Sequence, residues 1–108
     1  MSVAGALSQF RVLDLSRVLA GPSCTQILAD LGAEVIKIER PGAGDDTRGW
    51  GPPYLKAADD SDTSEAGYYL SANRGKRSVC IDISHPSGQR GIRDLALKSD
   101  ALGENFKV

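Results

Sequence analysis

The pattern of apolar and polar positions predicts strands and helices that alternate along most of the chain. Apolar residues at 10, 12, 13 and 15 predict a first strand over 10–15. Gly21 and Pro22 mark the start of a helix, because proline at the first helical position gives up only an N–H that has no partner there. Gly32 suits the left-handed end of that helix. Its predicted buried stripe is Cys24, Ile27, Leu28 and Leu31.

A run of β-branched residues over 33–39 predicts a second strand after this helix. Strand, helix and strand in close succession form a βαβ unit, in which the two strands are parallel and the crossover is right-handed. A third strand is predicted over 78–83, a helix from Pro86 to Lys98 and a fourth strand over 101–106. The fold class is therefore α/β with a parallel sheet.

The segment 41–67 has neither a strand period nor a helix period and is rich in glycine, proline and aspartate. It is predicted to be one long loop, and loops of this length in compact domains are usually functional or mobile. Directly after it, residues 68–70 are either the start of a short helix or an anchoring turn.

Composition changes this picture by excluding classes of partner. The 108 residues are 41% apolar, and 13 Lys and Arg against 14 Asp and Glu give a formal charge of −1. This balance lacks the basic surface of a nucleic-acid-binding protein, and no apolar run is long enough for a membrane span. Met1 to Phe10 has no basic residue before its apolar part, which argues against a secretory signal. Cys24 and Cys80 lack metal-ligand spacing and are predicted to be reduced, buried thiols.

Candidate binding residues gather where the predicted strands end. The turn 16–22 joins a strand to a helix N-terminus, the position at which open α/β sheets bind ligands, although it also fits a plain tight turn. Arg40 leaves the second strand at the same edge and suits a phosphate or adenine contact, or is a solvated cation. The basic run 73–77 either receives phosphates or is solvated.

Three further features have ordinary structural explanations. Residues 42–46 resemble a phosphate loop only in their glycines, and turn glycines explain them better than a metal site. His85 is a surface or capping residue, because no serine or cysteine nucleophile accompanies it. Trp50 is either a lid over an apolar ligand or a loop anchor in the core.

Five motifs in a fixed order closely resemble the start of the family III CoA-transferases, the carnitine CoA-transferase and formyl-CoA transferase group. The resemblance extends from about Phe10 to Phe106. The motifs are DLSRVLAGP (14–22), LGAEVIKIERPG (31–42), GDDTR (44–48), NRGKRS (73–78) and ENF (104–106).

The resemblance implies that 1–108 is part of a Rossmann-like CoA-binding large domain. The parent enzyme would be considerably longer, an interlocked homodimer that takes coenzyme A or acyl-CoA as substrate and needs no tightly bound cofactor and no metal. Matched position by position, the residues expected to contact the adenosine diphosphate end of CoA are Val18, Leu19, Ala20, Arg40, Ile81, Asn105 and Phe106.

The family's nucleophile is an aspartate downstream of the ENF motif, so this chain contains no catalytic residue and is expected to be inactive alone. The stretch 40–53 is most similar to the branch that transfers CoA between dicarboxylates such as succinate and glutarate. Two alternatives stay open: an acyl-CoA racemase of the same family, and a non-catalytic CoA- or nucleotide-binding module. The expected compartment is the cytoplasm, or the mitochondrial matrix or peroxisome in a eukaryote.

Overall fold

A computed structural model describes residues 5–108 and shows a parallel sheet with helices on both faces. In chain order the elements are β1 (Arg11–Asp14), α1 (Ala20–Asp30), β2 (Glu34–Glu39), a 3₁₀ helix (Asp46–Gly49), β3 (Tyr54–Lys56), β4 (Asp62–Ala66), α2 (Gly67–Ala72), β5 (Arg77–Cys80), α3 (Pro86–Leu97) and β6 (Ala101–Gly103).

The main sheet has four strands in the order β5-β2-β1-β6, and every neighbouring pair is parallel. The strand order runs outwards from β1 through β2 to β5, and then reverses to place β6 on the other side of β1. This is the order of a Rossmann-like half, and it confirms the predicted α/β class. The reversal between β1 and β6 is the point at which such sheets bind ligands.

The two faces of the sheet carry separate apolar clusters. On one face Val12 and Val35 pack with Leu28 and Ala29 of α1. On the other face Leu13, Ile36 and Ile38 pack with residues of α3, namely Ile92, Leu95 and Ala96. Because successive side chains of a strand point to opposite faces, the odd–even alternation in β1 and β2 assigns each residue to one helix or the other.

Helix α1 is rotated relative to the predicted stripe. Cys24, Ile27 and Leu31 are exposed, and Leu28 alone of the four packs against the cluster on this face. The cause is polar: Thr25 is buried and its hydroxyl donates to Asp14 Oδ2 over 2.6 Å. This hydrogen bond turns the helix so that Thr25 faces the sheet.

The segment 41–67 is more ordered than the sequence predicts. It contains the 3₁₀ helix and an antiparallel hairpin of β3 and β4, followed by α2, which confirms the helix alternative for 68–70. The prediction of one long loop was wrong because the hairpin strands are short and mostly polar. The part-buried positions along β4 include Thr63 and Glu65, so the strand has no apolar alternation to detect.

Other boundaries and burial also differ from prediction. The third sheet strand ends at Cys80 and the fourth at Gly103, so Ile81 and Phe106 follow strands instead of lying within them. Cys24 and Cys80 are both exposed, which corrects the prediction of buried thiols. Cys24 lies on the outer side of α1, and Cys80 lies in the edge strand β5, of which every residue is exposed.

Within residues 5–108, no helix combines the length and the apolar character that crossing a membrane would need.

Candidate functional site

A cavity of about 290 Å³ opens at the carboxyl edge of the sheet. The carboxyl ends of parallel strands meet at one edge, so residues that leave β1, β2, β5 and β6 converge there. The cavity combines an apolar wall with charged groups. Its lining residues are Leu15, Arg17, Ile38, Glu39, Arg40, Gly44, Asp45, Ile81, Asp82, Ile83, Ser84 and Phe106.

Three of the seven residues predicted to contact CoA line this cavity: Arg40, Ile81 and Phe106. They are far apart in the sequence and arrive from three different strands. Ile81 extends the β5 pairing by one residue, since its N–H donates to the Glu39 carbonyl over 3.0 Å. The structure thus brings together at one edge what the sequence could only place at the ends of separate strands.

The other four predicted residues belong to the rim beside the cavity. Val18, Leu19 and Ala20 form the turn into α1 and do not line the cavity themselves. Asn105 binds this turn through both atoms of its amide: Arg17 N–H donates to Asn105 Oδ1 over 2.9 Å, and Asn105 Nδ2 donates to the Arg17 carbonyl over 2.8 Å. The contact joins the segments after β1 and β6 at the reversal of strand order.

The turn itself has an unusual backbone. Val18 adopts a left-handed conformation with φ of 71°, which is rare for a β-branched residue and costs about 1–3 kcal/mol. Gly21 permits α1 to begin close to Ser16, because a Cβ at Gly21 would lie 2.3 Å from Ser16 Cβ. The turn is therefore closely packed and is held in a conformation that it would not adopt alone.

Arg40 is oriented by the loop that follows it. Its Nε donates to the Gly44 carbonyl over 2.9 Å, and its Nη2 forms an ion pair with Asp46. Half of the side chain remains exposed. Arg17, the second cation of the cavity, has no side-chain hydrogen bond or ion pair to any residue in 5–108. The lining of the cavity thus includes two guanidinium groups together with the acidic residues Glu39, Asp45 and Asp82.

Beneath the turn, sequence reasoning missed a set of buried ionised groups on the α1 face of the sheet. Asp14 is fully buried and accepts hydrogen bonds from Lys76 Nζ at 3.1 Å and from the Ser16 N–H at 2.9 Å. Lys76 also donates to Asn73 Oδ1 and to the Pro22 carbonyl, each at 2.9 Å. Burial lowers the pKa of Lys76, although the neighbouring Asp14 acts in the opposite direction.

A second buried pair joins β2 to the loop after it. Lys37 Nζ lies 3.0 Å from Asp45 Oδ2, and neither side chain has exposed surface. Burial raises the pKa of the Asp45 carboxyl, but the hydrogen bonds from Thr47 and the Lys37 ammonium outweigh it, so this pKa lies below its usual value. The only signal in the sequence was a lysine inside the apolar run of a buried strand.

Glu39 completes this set and ties the loop to the sheet. Its carboxylate accepts two 2.7 Å bonds from Arg48 and one of 3.1 Å from the Tyr69 hydroxyl, while the Arg48 guanidinium stacks 3.7 Å from the centre of the Tyr69 ring. Burial raises the pKa of Glu39, but hydrogen bonds from Arg48, Ser78 and the Asp45 N–H together lower it to about 2.

The remaining sequence candidates have structural roles. The cations of 73–77 form ion pairs instead of an open phosphate patch: Arg74 with Asp30, Lys76 with Asp14 and Arg77 with Glu34.

His85 caps α3, where its ring accepts from the Ser87 N–H over 3.2 Å. Trp50 stays about half exposed and meets the Tyr68 ring edge to face at 5.2 Å. Within 5–108, no three His, Cys, Asp or Glu side chains lie close enough to hold a metal ion.

Comparison with known proteins agrees with this geometry. A succinate–glutarate CoA-transferase of Agrobacterium fabrum is 52% identical over 101 residues, which are 94% of this chain and 25% of that protein. A succinyl-CoA:glutarate CoA-transferase of Mus musculus is 52% identical over 100 residues, 93% of this chain and 21% of that protein. The chain thus spans about a quarter of the length of the curated relatives it matches.

The fold comparison gives the same result. The crystal structure of a CAIB/BAIF family protein from Brucella suis superposes with a TM-score of 0.86 at 43% identity, covering 97% of this chain and 27% of that one. The family model described as CoA-transferase family III matches residues 7–108. The chain therefore belongs to CoA-transferase family III.

Proposed function

We propose that this chain is the CoA-binding part of an enzyme that transfers CoA between an acyl-CoA and a carboxylic acid. The observation that carries the proposal is the convergence of Arg40, Ile81 and Phe106 on one cavity at the reversal of strand order. Open α/β sheets bind nucleotides at this point, and CoA ends in an adenosine diphosphate.

The cavity matches the two chemical halves of that nucleotide. Its apolar wall, which includes Ile81 and Phe106, suits the adenine ring. The planar guanidinium of Arg40 suits either a phosphate or the face of the base. Of the rim residues, Val18, Leu19 and Ala20 contact the nucleotide through the turn, and Asn105 lies beside them on Arg17.

The named relatives support the choice of reaction and of substrate. Both relatives are CoA-transferases that act on glutarate with succinate or succinyl-CoA. This favours CoA transfer over the racemase alternative, and it favours dicarboxylates as the acids.

Transfer in the whole protein would proceed through an aspartyl-CoA thioester. A carboxylate attacks the acyl-CoA thioester to form a mixed anhydride and releases CoA thiolate, which attacks the aspartyl carbonyl, forms the thioester and releases the donor acid. The acceptor carboxylate then attacks the aspartyl thioester, and the displaced CoA thiolate attacks the acceptor's carbonyl in the new anhydride, which gives the product acyl-CoA and regenerates the aspartate. That aspartate is supplied from outside this chain, and we expect the chain alone not to turn over succinyl-CoA. We extend the proposal to the whole protein as an interlocked homodimer in the cytoplasm or an organelle matrix.

Calorimetric titration with CoA tests the binding part of the proposal. We expect Arg40→Ala to weaken CoA binding by about 1–3 kcal/mol, the range for a lost charge-assisted contact. Binding of pantetheine, which lacks the nucleotide, should not change. The matched control is Arg90→Ala, which removes an exposed cation from α3. Equal CoA affinity of Arg40→Ala and the unmodified chain would contradict the assignment of Arg40.

A hybrid protein tests the transfer reaction. The chain replaces the 101 matched residues of the Agrobacterium fabrum protein, which supplies the remaining three quarters. We expect the hybrid to transfer CoA from succinyl-CoA to glutarate. A hybrid that folds and binds CoA but transfers none would contradict the assigned reaction.

A further inference from the structure

The Lys37–Asp45 ion pair is fully buried, unlike most ion pairs between a lysine and an aspartate. The side chains of both residues have no exposed surface, although the loop that carries Asp45 is otherwise partly open to solvent. Burying two charges has a large desolvation penalty, and a buried pair is therefore weak evidence of a stabilising role. A role in fixing one local conformation is the better explanation.

The pair contacts the β1–α1 turn at both of its ends. Lys37 Nζ donates to the Ser16 carbonyl over 3.0 Å. The Val18 N–H donates to Asp45 Oδ2 over 3.3 Å, the same oxygen that faces Lys37. Since the backbone atoms of Arg17 are already held by Asn105, the pair completes the fixation of the three residues 16–18.

Val18 is the residue in this turn that most needs such support. Its left-handed backbone is unfavourable for a β-branched side chain, and such conformations persist where surrounding contacts over-determine them. The other carboxylate oxygen of Asp45 accepts from the N–H and the hydroxyl of Thr47, at 3.0 and 2.9 Å. Asp45 is thereby oriented from the loop side, and its Oδ2, which also faces Lys37, is directed at the turn.

We propose that Lys37 and Asp45 are positioning residues for CoA: without touching the ligand through their side chains, they hold residues 16–18 in the shape that receives its nucleotide end. This inference rests on the proposed function. It adds to that function the prediction that removing the pair weakens CoA binding through the turn while the fold persists.

The variant that tests this is Lys37→Met with Asp45→Asn. It removes both charges together, so neither is left buried alone. Asparagine can keep its oxygen toward Thr47 and then turns an NH₂ group, which cannot accept a hydrogen bond, toward Val18. The matched control makes the same two substitutions in the exposed pair Lys56 and Asp62, which joins β3 to β4 far along the chain from the turn.

Two measurements are made on each protein: the affinity for CoA by calorimetry, and the hydrogen-exchange rate of the Val18 amide by NMR. For Lys37→Met/Asp45→Asn we expect CoA binding about tenfold weaker, the size of one lost hydrogen-bonded contact, together with an accelerated Val18 exchange. The control should change neither quantity. Unchanged CoA affinity in the folded double variant would overturn the proposal, and so would weakened affinity with unchanged Val18 exchange.

Two further readouts keep the proposal falsifiable. If the double variant does not fold, Asp45→Asn alone is measured, since Lys37 keeps its bond to the Ser16 carbonyl. In the unmodified chain the Val18 amide should already exchange slowly, and fast exchange there would overturn the proposal without any variant. An unmodified chain that binds no CoA would instead overturn the proposed function, and with it the role of Lys37 and Asp45 in CoA binding. Slow Val18 exchange in that chain would still show that the two residues hold the turn.

Discussion

The two faces of the parallel sheet are built from different chemistry, although they share the same strands. The face beneath α3 is apolar in its buried part, where Leu13, Ile36 and Ile38 pack against three side chains of the helix. Its charged residues lie at the amino end and form ion pairs with one another: Arg11 and Arg77 with Glu34. The face beneath α1 is apolar at the amino end, where Val12 and Val35 lie, and ionised at the carboxyl end. Its charged groups there are Asp14, Lys37 and Glu39.

The difference follows the position of the candidate site. Strand residues of odd number in β2 and even number in β1 point to the α1 face. Along this face the side chains are valines at the amino end and charged groups at the carboxyl end, beside the cavity. Apolar packing is non-directional and tolerates small shifts, whereas ion pairs and hydrogen bonds fix particular atoms. We infer that the α3 face supplies stability and that the ionised end of the α1 face supplies the geometry of the turn.

The largest effect on stability should come from removing Lys37, which lies between Asp14 and Glu39 in the ionised end of the α1 face. Lys37→Met leaves Asp45 buried without its cation, and we expect it to lower the free energy of unfolding by about 3–5 kcal/mol. Urea denaturation measures this change. The double variant with Asp45→Asn should lose less than the single variant, because it has no unpaired charge. A single variant as stable as the unmodified chain would show that the pair is not buried as described.

The apolar face should respond to loss of volume instead. Leu13 is fully buried, and we expect Leu13→Ala to lower the free energy of unfolding by about 2–4 kcal/mol through lost burial and the cavity it leaves. Leu55→Ala, at an exposed position in the hairpin, is the control and should change little. The Leu13→Ala loss should be the same at pH 7 and pH 5. A pH-dependent loss would contradict the claim that this face stabilises the fold by apolar packing alone.

Acid should weaken the ionised end selectively. The pKa of Glu39 is about 2 in the folded chain against an ordinary 4.5. A carboxyl with a lowered pKa stabilises the fold fully above its unfolded pKa, and this contribution is lost as pH falls from about 4.5 toward 2. We expect a loss on the order of 2 kcal/mol over that window.

Glu39→Gln should remove this pH dependence, as followed by urea denaturation at a series of pH values. Glu65→Gln is the matched control, because Glu65 reaches the same Arg48 only at 3.8 Å and is half exposed. Equal acid sensitivity in the Glu39→Gln variant and the unmodified chain would assign the effect to other carboxyl groups.

The contrast between local apolar patterns and contacts between distant residues explains what the sequence could predict. Strand and helix periodicity, Pro22 and Gly32 are local signals, and they predicted β1, α1 and β2 and the parallel sheet correctly. The five motifs predicted the family. The rule that parallel strands end at one edge predicted that Arg40 lies beside the turn 16–22, whereas Ile81 and Phe106 were predicted from the family resemblance alone.

What could not be predicted depends on contacts between distant residues. Asp14 is paired with Lys76, 62 positions later, and a charged residue in a strand looks exposed until its partner is known. The rotation of α1 depends on Thr25 meeting Asp14, which no apolar pattern reports. In β4 the part-buried side chains include Thr63 and Glu65, so the pairing of β3 with β4 left no apolar period in the sequence.

The central claim is that the nucleotide end of CoA binds at the carboxyl edge of the sheet, beside residues 16–18, which Lys37 and Asp45 hold in place. The most direct test is an NMR titration of the ¹⁵N-labelled chain with CoA. We expect shifts concentrated in the amides of Val18, Leu19, Arg40, Ile81 and Phe106, and none at the amino edge around Arg11 and Glu34. Shifts at the amino edge, or no shifts at saturating CoA, would contradict the account.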